Sequence, residues 1–69
     1  MTLRELVGVR LKEARLERNL TQKDLAKLLN YERSYITLLE NGKRSLEINK
    51  LESFANVLNK SISYFIEGY

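Results

Sequence analysis

From Leu3 to Ile66 the apolar residues of this chain recur at intervals of three and four. Nowhere do apolar and polar residues alternate with the period of two that a half-buried strand needs. This spacing predicts helices throughout. The first runs from about Leu3 to about Arg18, with Leu3, Val7, Leu11 and Ala14 in one stripe and Lys12, Glu13 and Glu17 on the other side. Asn19 suits its end, because Asn tolerates the left-handed backbone that closes a helix. The second starts at Thr21, where Thr21 and Asp24 have capping-box spacing with Asp in place of the usual Glu. It turns Leu25, Ala26 and Leu29 inward and stops at Asn30. The third runs from about Glu32 to Glu40, with Ile36 and Leu39 inward and Gly42 as the residue that ends it. The fourth spans about Glu47 to Leu58, with Ile48, Leu51, Phe54, Ala55 and Leu58 on its buried side and Asn59 at its end. Ser61 caps a last short helix carrying Ile62, Phe65 and Ile66. Five short helices with brief links predict an all-α, five-helix orthogonal bundle, one domain over residues 1–69.

A chain of 69 residues buries only roughly 60% of the surface that its unfolded form exposes. With no Cys it has neither disulfides nor thiolate metal sites to reinforce that core. With no His it also lacks the commonest general base and the commonest metal ligand. Helix packing must therefore supply the stability, with a partner subunit as the remaining source. No glycine loop that cradles phosphate and no nucleophile elbow is present, and the carboxylates are spread along helix surfaces. An enzyme is thus the weakest reading, and no cofactor is implied. Twelve Lys and Arg against nine Asp and Glu give a net charge of +3 and a pI near 9.4, a weak pointer to a polyanionic partner. No apolar run approaches the roughly 18 residues of a membrane span, and the N-terminus has no export-signal pattern. A cytoplasmic location is the expectation.

The informative segment is Thr21 to Lys43. Two helices of similar length are joined by a short turn at Asn30, the arrangement of a helix-turn-helix. Ala26 is small where the second helix would cross the third. Ile36 and Leu39 bind the third helix to the core, which leaves Arg33, Ser34, Thr37 and Leu38 on its outer face. Short polar, basic and small apolar groups on an exposed helix suit the edges of bases in a major groove. Lys43 and Arg44 follow the helix end, where they suit its negative dipole end and are equally able to meet phosphate. Tyr35 is placed to pack, with its hydroxyl in reach of a phosphate.

The run TQKDLAKLLNYERSYITLLENGKRS resembles the lambda-repressor-like, Xre-type helix-turn-helix domains. GVRLKEARLERNLTQ resembles the first helix of that family, and LESFANVLNKSISYFI its fourth and fifth, so the likeness covers nearly the whole chain. The combined signal of TQ-x2-LA, SYI and LENG carries it. The resemblance implies that Gln22 opens the second helix and binds a DNA phosphate; the alternative is that it caps its own helix. It implies that Arg33 and Ser34 hydrogen-bond base edges and that Leu38 meets a thymine methyl. It implies backbone contacts from Asn41, Lys43 and Arg44, and an ion pair between Arg15 and Glu40 that ties the first helix to the third. Three positions depart from the pattern. Asn30 stands where Gly is usual, Glu32 stands where a Ser or Thr cap is usual, and the loop before the fourth helix lacks the frequent Pro.

The expected partner is therefore double-stranded DNA with a pseudo-palindromic operator, bound by a homodimer acting as a transcription regulator, a repressor by preference. The C-terminal residues Tyr64, Ile66 and Tyr69 are candidates for the dimer interface, or else close the bottom of the core. The competing hypothesis is a protein-interaction module, such as an antitoxin or anti-repressor, with DNA binding secondary. Salt-sensitive binding to duplex DNA separates the two.

Overall fold

The computed structural model describes all 69 residues and contains five helices and no strand: α1 (Leu3–Glu17), α2 (Gln22–Leu29), α3 (Arg33–Glu40), α4 (Ile48–Leu58) and α5 (Ile62–Ile66). The all-α, five-helix reading of the spacing holds, with each boundary within about a residue of the sequence expectation.

The first four helices stop in one way. Asn19, Asn30, Gly42 and Asn59 all take positive φ, between 57° and 69°. At each, the next amide reaches back to a carbonyl five residues earlier: Leu20 to Arg15, Tyr31 to Ala26, Lys43 to Leu38, and Lys60 to Ala55. These bonds use up carbonyls that a helix end would otherwise leave unpaired. The starts of α1 and α2 are closed by capping boxes. Thr21 accepts from the amide of Asp24 while the Asp24 carboxylate accepts from the amide of Thr21. Thr2 and Glu5 do the same at α1, a box the sequence reading did not identify. Ser61 begins α5 without a capping bond; its hydroxyl lies 3.0 Å from that of Ser63 instead.

The core is one cluster: Leu11, Ala14, Leu25, Ala26, Ile36, Leu39, Leu51, Phe54, Ala55, Leu58 and Phe65. Phe54 and Phe65 are completely buried, and Tyr31 stacks on Phe54 at 5.8 Å between ring centres. The predicted inward residues of α2, α3 and α4 are in this cluster or packed against it, with one exception. Ile48, placed on the buried side of α4 by its spacing, is 65% exposed. It lies in the first turn of α4, where no other helix of the chain covers it. Leu3 is likewise exposed at the start of α1, and Ile66 at the end of α5. These three line one apolar groove with Val7, Leu46 and Leu51.

Two contacts fix where α3 sits. At Gly8 the backbone of α1 meets the carbonyls of Leu39 and Glu40 so closely that no Cβ fits between them. Beside that crossing, the buried Arg15 guanidinium grips the Glu40 carboxylate. Arg10 ties α5 to α1 by donating to the carbonyls of Tyr64 at 2.7 Å and Glu67 at 2.9 Å.

Candidate nucleic-acid interface

Helix α3 has a committed face and a free one. Ile36 and Leu39 are buried, and so is Glu40. Arg33, Ser34 and Leu38 are exposed, Thr37 is half-buried, and these four residues line one shallow depression together with Glu32. Glu32 is the N-cap of α3 and makes no capping hydrogen bond, so the first amides of the helix have no side-chain acceptor. The sequence-predicted base-facing residues are thus brought together on one helix surface.

The committed face is locked by a hydrogen-bonded chain. Arg15 donates from Nε to Glu40 Oε2 at 2.7 Å and from Nη2 to Glu40 Oε1 at 3.0 Å. Its remaining reach goes to the carbonyl of Leu20 at 2.8 Å, in the turn before α2. This bidentate geometry is the strongest form of the pairing. The Glu40 side chain is 1% exposed, so the pair ties α1, the α1–α2 turn and α3 into one unit. Gln22 joins it: Nε2 donates to Glu40 Oε1 at 3.1 Å, and Oε1 accepts from the Thr37 hydroxyl at 2.9 Å. Gln22 therefore does not cap its own helix; Thr21 does that. The Asp24 carboxyl in that cap is held below its usual pKa, first by the backbone hydrogen bond at Thr21 and then by the Thr21 hydroxyl.

Cations gather beside the free face. Lys43 and Arg44 are exposed in the loop after α3. They have no carboxylate partner, and neither does Arg33, unlike Arg10, Arg15, Lys50 and Lys60. Arg44 lies 4.9 Å from the centre of the Tyr35 ring. Lys50, in the first turn of α4, lies 5.5 Å from the same ring and 5.9 Å from that of Tyr31. The two tyrosines are themselves in contact, with ring centres 4.8 Å apart. Half-buried Tyr35 is thus a platform that holds two cations near α3, the packed role its position suggested. Lys50 was not among the sequence-predicted residues. It is separated from α3 by the loop, and only the folded chain brings it to Tyr35. Asn41 is exposed as the C-cap of α3.

The C-terminal candidates have different surroundings. Ile66 lines the apolar groove, while Tyr64 and Tyr69 do not. Tyr64 is half-buried, edge-on to Phe65, with Arg10 and Lys60 on its ring. Burial, and then the nearby Glu13 carboxylate, push its hydroxyl above the usual tyrosine range. Tyr69 is largely exposed.

A sequence model described as helix-turn-helix matches residues 11–65 of the chain. No curated protein sequence matches it. Among solved structures, the restriction-modification controller protein C.Esp1396I, seen as a tetramer in complex with its natural 35 base-pair operator, is 37% identical. The match covers 97% of this chain and 88% of that one, with a TM-score of 0.82. The controller protein C.AhdI from Aeromonas hydrophila is 30% identical over 88% of this chain and 92% of its own, with a TM-score of 0.81. The clp gene regulator ClgR from Corynebacterium glutamicum is 26% identical over 94% of this chain and 69% of its own, with a TM-score of 0.88. Family match, fold and exposed third helix agree: the chain belongs to the lambda-repressor-like, Xre-type helix-turn-helix family of DNA-binding transcriptional regulators.

Proposed function

We propose that this protein is a sequence-specific transcriptional repressor that binds a pseudo-palindromic operator as a homodimer, with α3 in the major groove. The observation that carries the reading is the free face of α3, where Arg33, Ser34, Thr37 and Leu38 share one surface next to the unpaired cations of Lys43 and Arg44. Arg33 supplies the forked donor that suits guanine, Ser34 a short hydroxyl, and Leu38 apolar contact for thymine. Lys43 and Arg44 bind phosphate, with Asn41, the Tyr35 hydroxyl and the Gln22 amide beside them. The phosphate contacts give affinity without regard to sequence, and the α3 contacts give discrimination.

The size of the chain supports the dimer. One chain carries one such helix and measures 28 Å in its longest extent, whereas successive major grooves on one face of DNA lie about 34 Å apart. A second copy supplies the second helix. The apolar groove lined by Ile66, Ile48 and Leu3 is the natural contact surface. A relative, C.Esp1396I, is seen as a tetramer on its operator, which supports binding of DNA by more than one copy. No helix is long and apolar enough to cross a membrane.

Selection of bound duplexes from a random-sequence DNA pool at about 0.15 M salt tests the reading. Two inverted half-sites about one helical turn apart are expected. A single half-site would remove the dimer. Recovery of no motif, with binding that vanishes as salt rises, would overturn specific recognition in favour of a protein-interaction module. A promoter fused to the recovered site should lose output when the protein is expressed; a gain would make it an activator.

A further inference from the structure

The hydrogen bond between Thr37 and Gln22 joins the base-facing helix to the residue that opens α2. Thr37 has one hydroxyl proton and two acceptors in reach: Gln22 Oε1 at 2.9 Å and, more distant, the carbonyl of Arg33 at 3.3 Å. Gln22 has no freedom to reverse its amide. The Glu40 carboxylate, gripped on both oxygens by Arg15, only accepts, so it requires the Gln22 NH2 on its side. The Gln22 carbonyl oxygen must then face Thr37. One N–H of Gln22 is spent on Glu40, and the other has no partner in the chain.

We propose that Thr37 is a positioning residue for DNA-backbone binding: its hydroxyl holds the Gln22 amide between itself and Glu40, so that the remaining N–H is fixed in advance for a phosphate oxygen. The inference rests on the reading that Gln22 binds phosphate. It gives Thr37 a role different from its neighbours on the free face of α3. Arg33, Ser34 and Leu38 make no side-chain hydrogen bond within the protein, whereas Thr37 spends its proton before DNA arrives. Ordering a long side chain ahead of binding removes part of the cost of ordering it at contact. Thr37 therefore strengthens binding to all sequences alike.

The test is a double-mutant cycle on Thr37 and Gln22, with Kd measured on a duplex recovered from the random pool and on a scrambled duplex of the same length. Thr37→Val keeps shape and loses the hydroxyl; it should weaken both complexes by about three- to tenfold, the worth of one hydrogen bond. Thr37→Ser should bind like the parent. Gln22→Ala should weaken both complexes at least as much, and Thr37→Val should add nothing once Gln22 is Ala. Neutral groups release no counterion, so the salt dependence should keep its slope in every variant. Thr37→Ala, which loses the hydroxyl without setting a second methyl against the Gln22 oxygen, should follow Thr37→Val and replaces it in the cycle if Thr37→Val folds poorly. Additive losses would overturn the proposal. So would a loss confined to the recovered duplex with an altered base preference, which would make Thr37 a base reader. If Gln22→Ala weakens binding and Thr37→Val does not, the positioning role alone fails. If Gln22→Ala changes nothing on either duplex, the phosphate contact fails and the positioning role with it.

Discussion

The backbone of α1 touches that of α3 at Gly8: a Cβ there would overlap the carbonyl oxygen of Leu39 and come within 2.9 Å of that of Glu40. Helix α3 thus stands at a distance from α1 that only a glycine permits. Two effects of Gly8→Ala oppose each other. Alanine gains about 1 kcal/mol over glycine in a helix interior, while overpacking costs about 1–3 kcal/mol. Here the obstacle is backbone on both sides, which no rotamer change relieves. Net destabilisation of about 1–2 kcal/mol, read by urea denaturation, is the expected outcome. A gain of about 1 kcal/mol would mean that the helices slide apart freely.

The Arg15–Glu40 pair is buried on both sides, at 8% and 1% side-chain exposure. Breaking one partner leaves an uncompensated buried charge, so Glu40→Ala should cost about 3–5 kcal/mol. Replacing both by apolar residues of like volume, Arg15→Met with Glu40→Leu, should cost much less, because neither charge is then desolvated. It would also release Gln22 from its carboxylate partner. Thermal melts of the single and double variants check this; equal losses would show that the pair is not the source of the effect.

Helix ends were the part of the fold most legible in the sequence, because a left-handed turn asks for a residue type. Asn19, Asn30, Gly42 and Asn59 announced theirs. Periodicity gave the inward face of each helix but not how far the core extends along it. Ile48 and Leu3 are in register with buried residues, yet they lie in first turns that no other helix covers. The mid-helix Gly8 carried a legible signal of close approach, since an interior glycine is costly unless packing requires it. The Thr37–Gln22 bond carried none. The residues are fifteen apart on different helices, and their meeting depends on how α2 packs on α3. Lys50 escaped for the same reason.

Left-handed Asn residues invite a direct comparison. Asn59 has φ 58° and closes α4. A residue with a Cβ and no short polar group is disfavoured there, so Asn59→Ala should destabilise by about 1 kcal/mol, while Asn59→Gly should equal or slightly exceed the parent. Chemical denaturation of the two variants decides it. If Ala and Gly behave alike, the conformation contributes nothing.

Acid should loosen the helix starts before the rest. The Glu5 and Asp24 carboxyls are both held below their ordinary pKa values, chiefly by hydrogen bonds from the backbone amides of Thr2 and Thr21. A carboxyl depressed in the folded state stabilises it above the unfolded pKa, and that contribution is lost as pH falls through the folded pKa. Amide exchange or NMR shifts at Thr2 and Thr21 should report the loss well into the acid range. Asp24→Ala should remove the acid-dependent step at α2 and leave the one at α1. A step at α2 that survives this change would place its origin elsewhere.

Arg33 and Lys43 are both exposed cations without a carboxylate partner, yet they should fail in different ways. Arg33 projects from the first turn of α3, where a guanidinium can bond a guanine edge through two donors. Arg33→Ala should remove discrimination worth about 1–3 kcal/mol at one base position and broaden the selected motif there. Lys43 lies past the end of α3, and the proposed reading gives its ammonium a phosphate contact and no base contact. Lys43→Ala should weaken binding on recovered and scrambled duplexes alike and reduce the slope of log K against log salt by about 0.9. Measuring both variants on both duplexes across a salt series separates the roles. Equal losses on both duplexes for Arg33→Ala would make it a backbone contact. A sequence-selective loss for Lys43→Ala would place the loop, and not α3, against the bases.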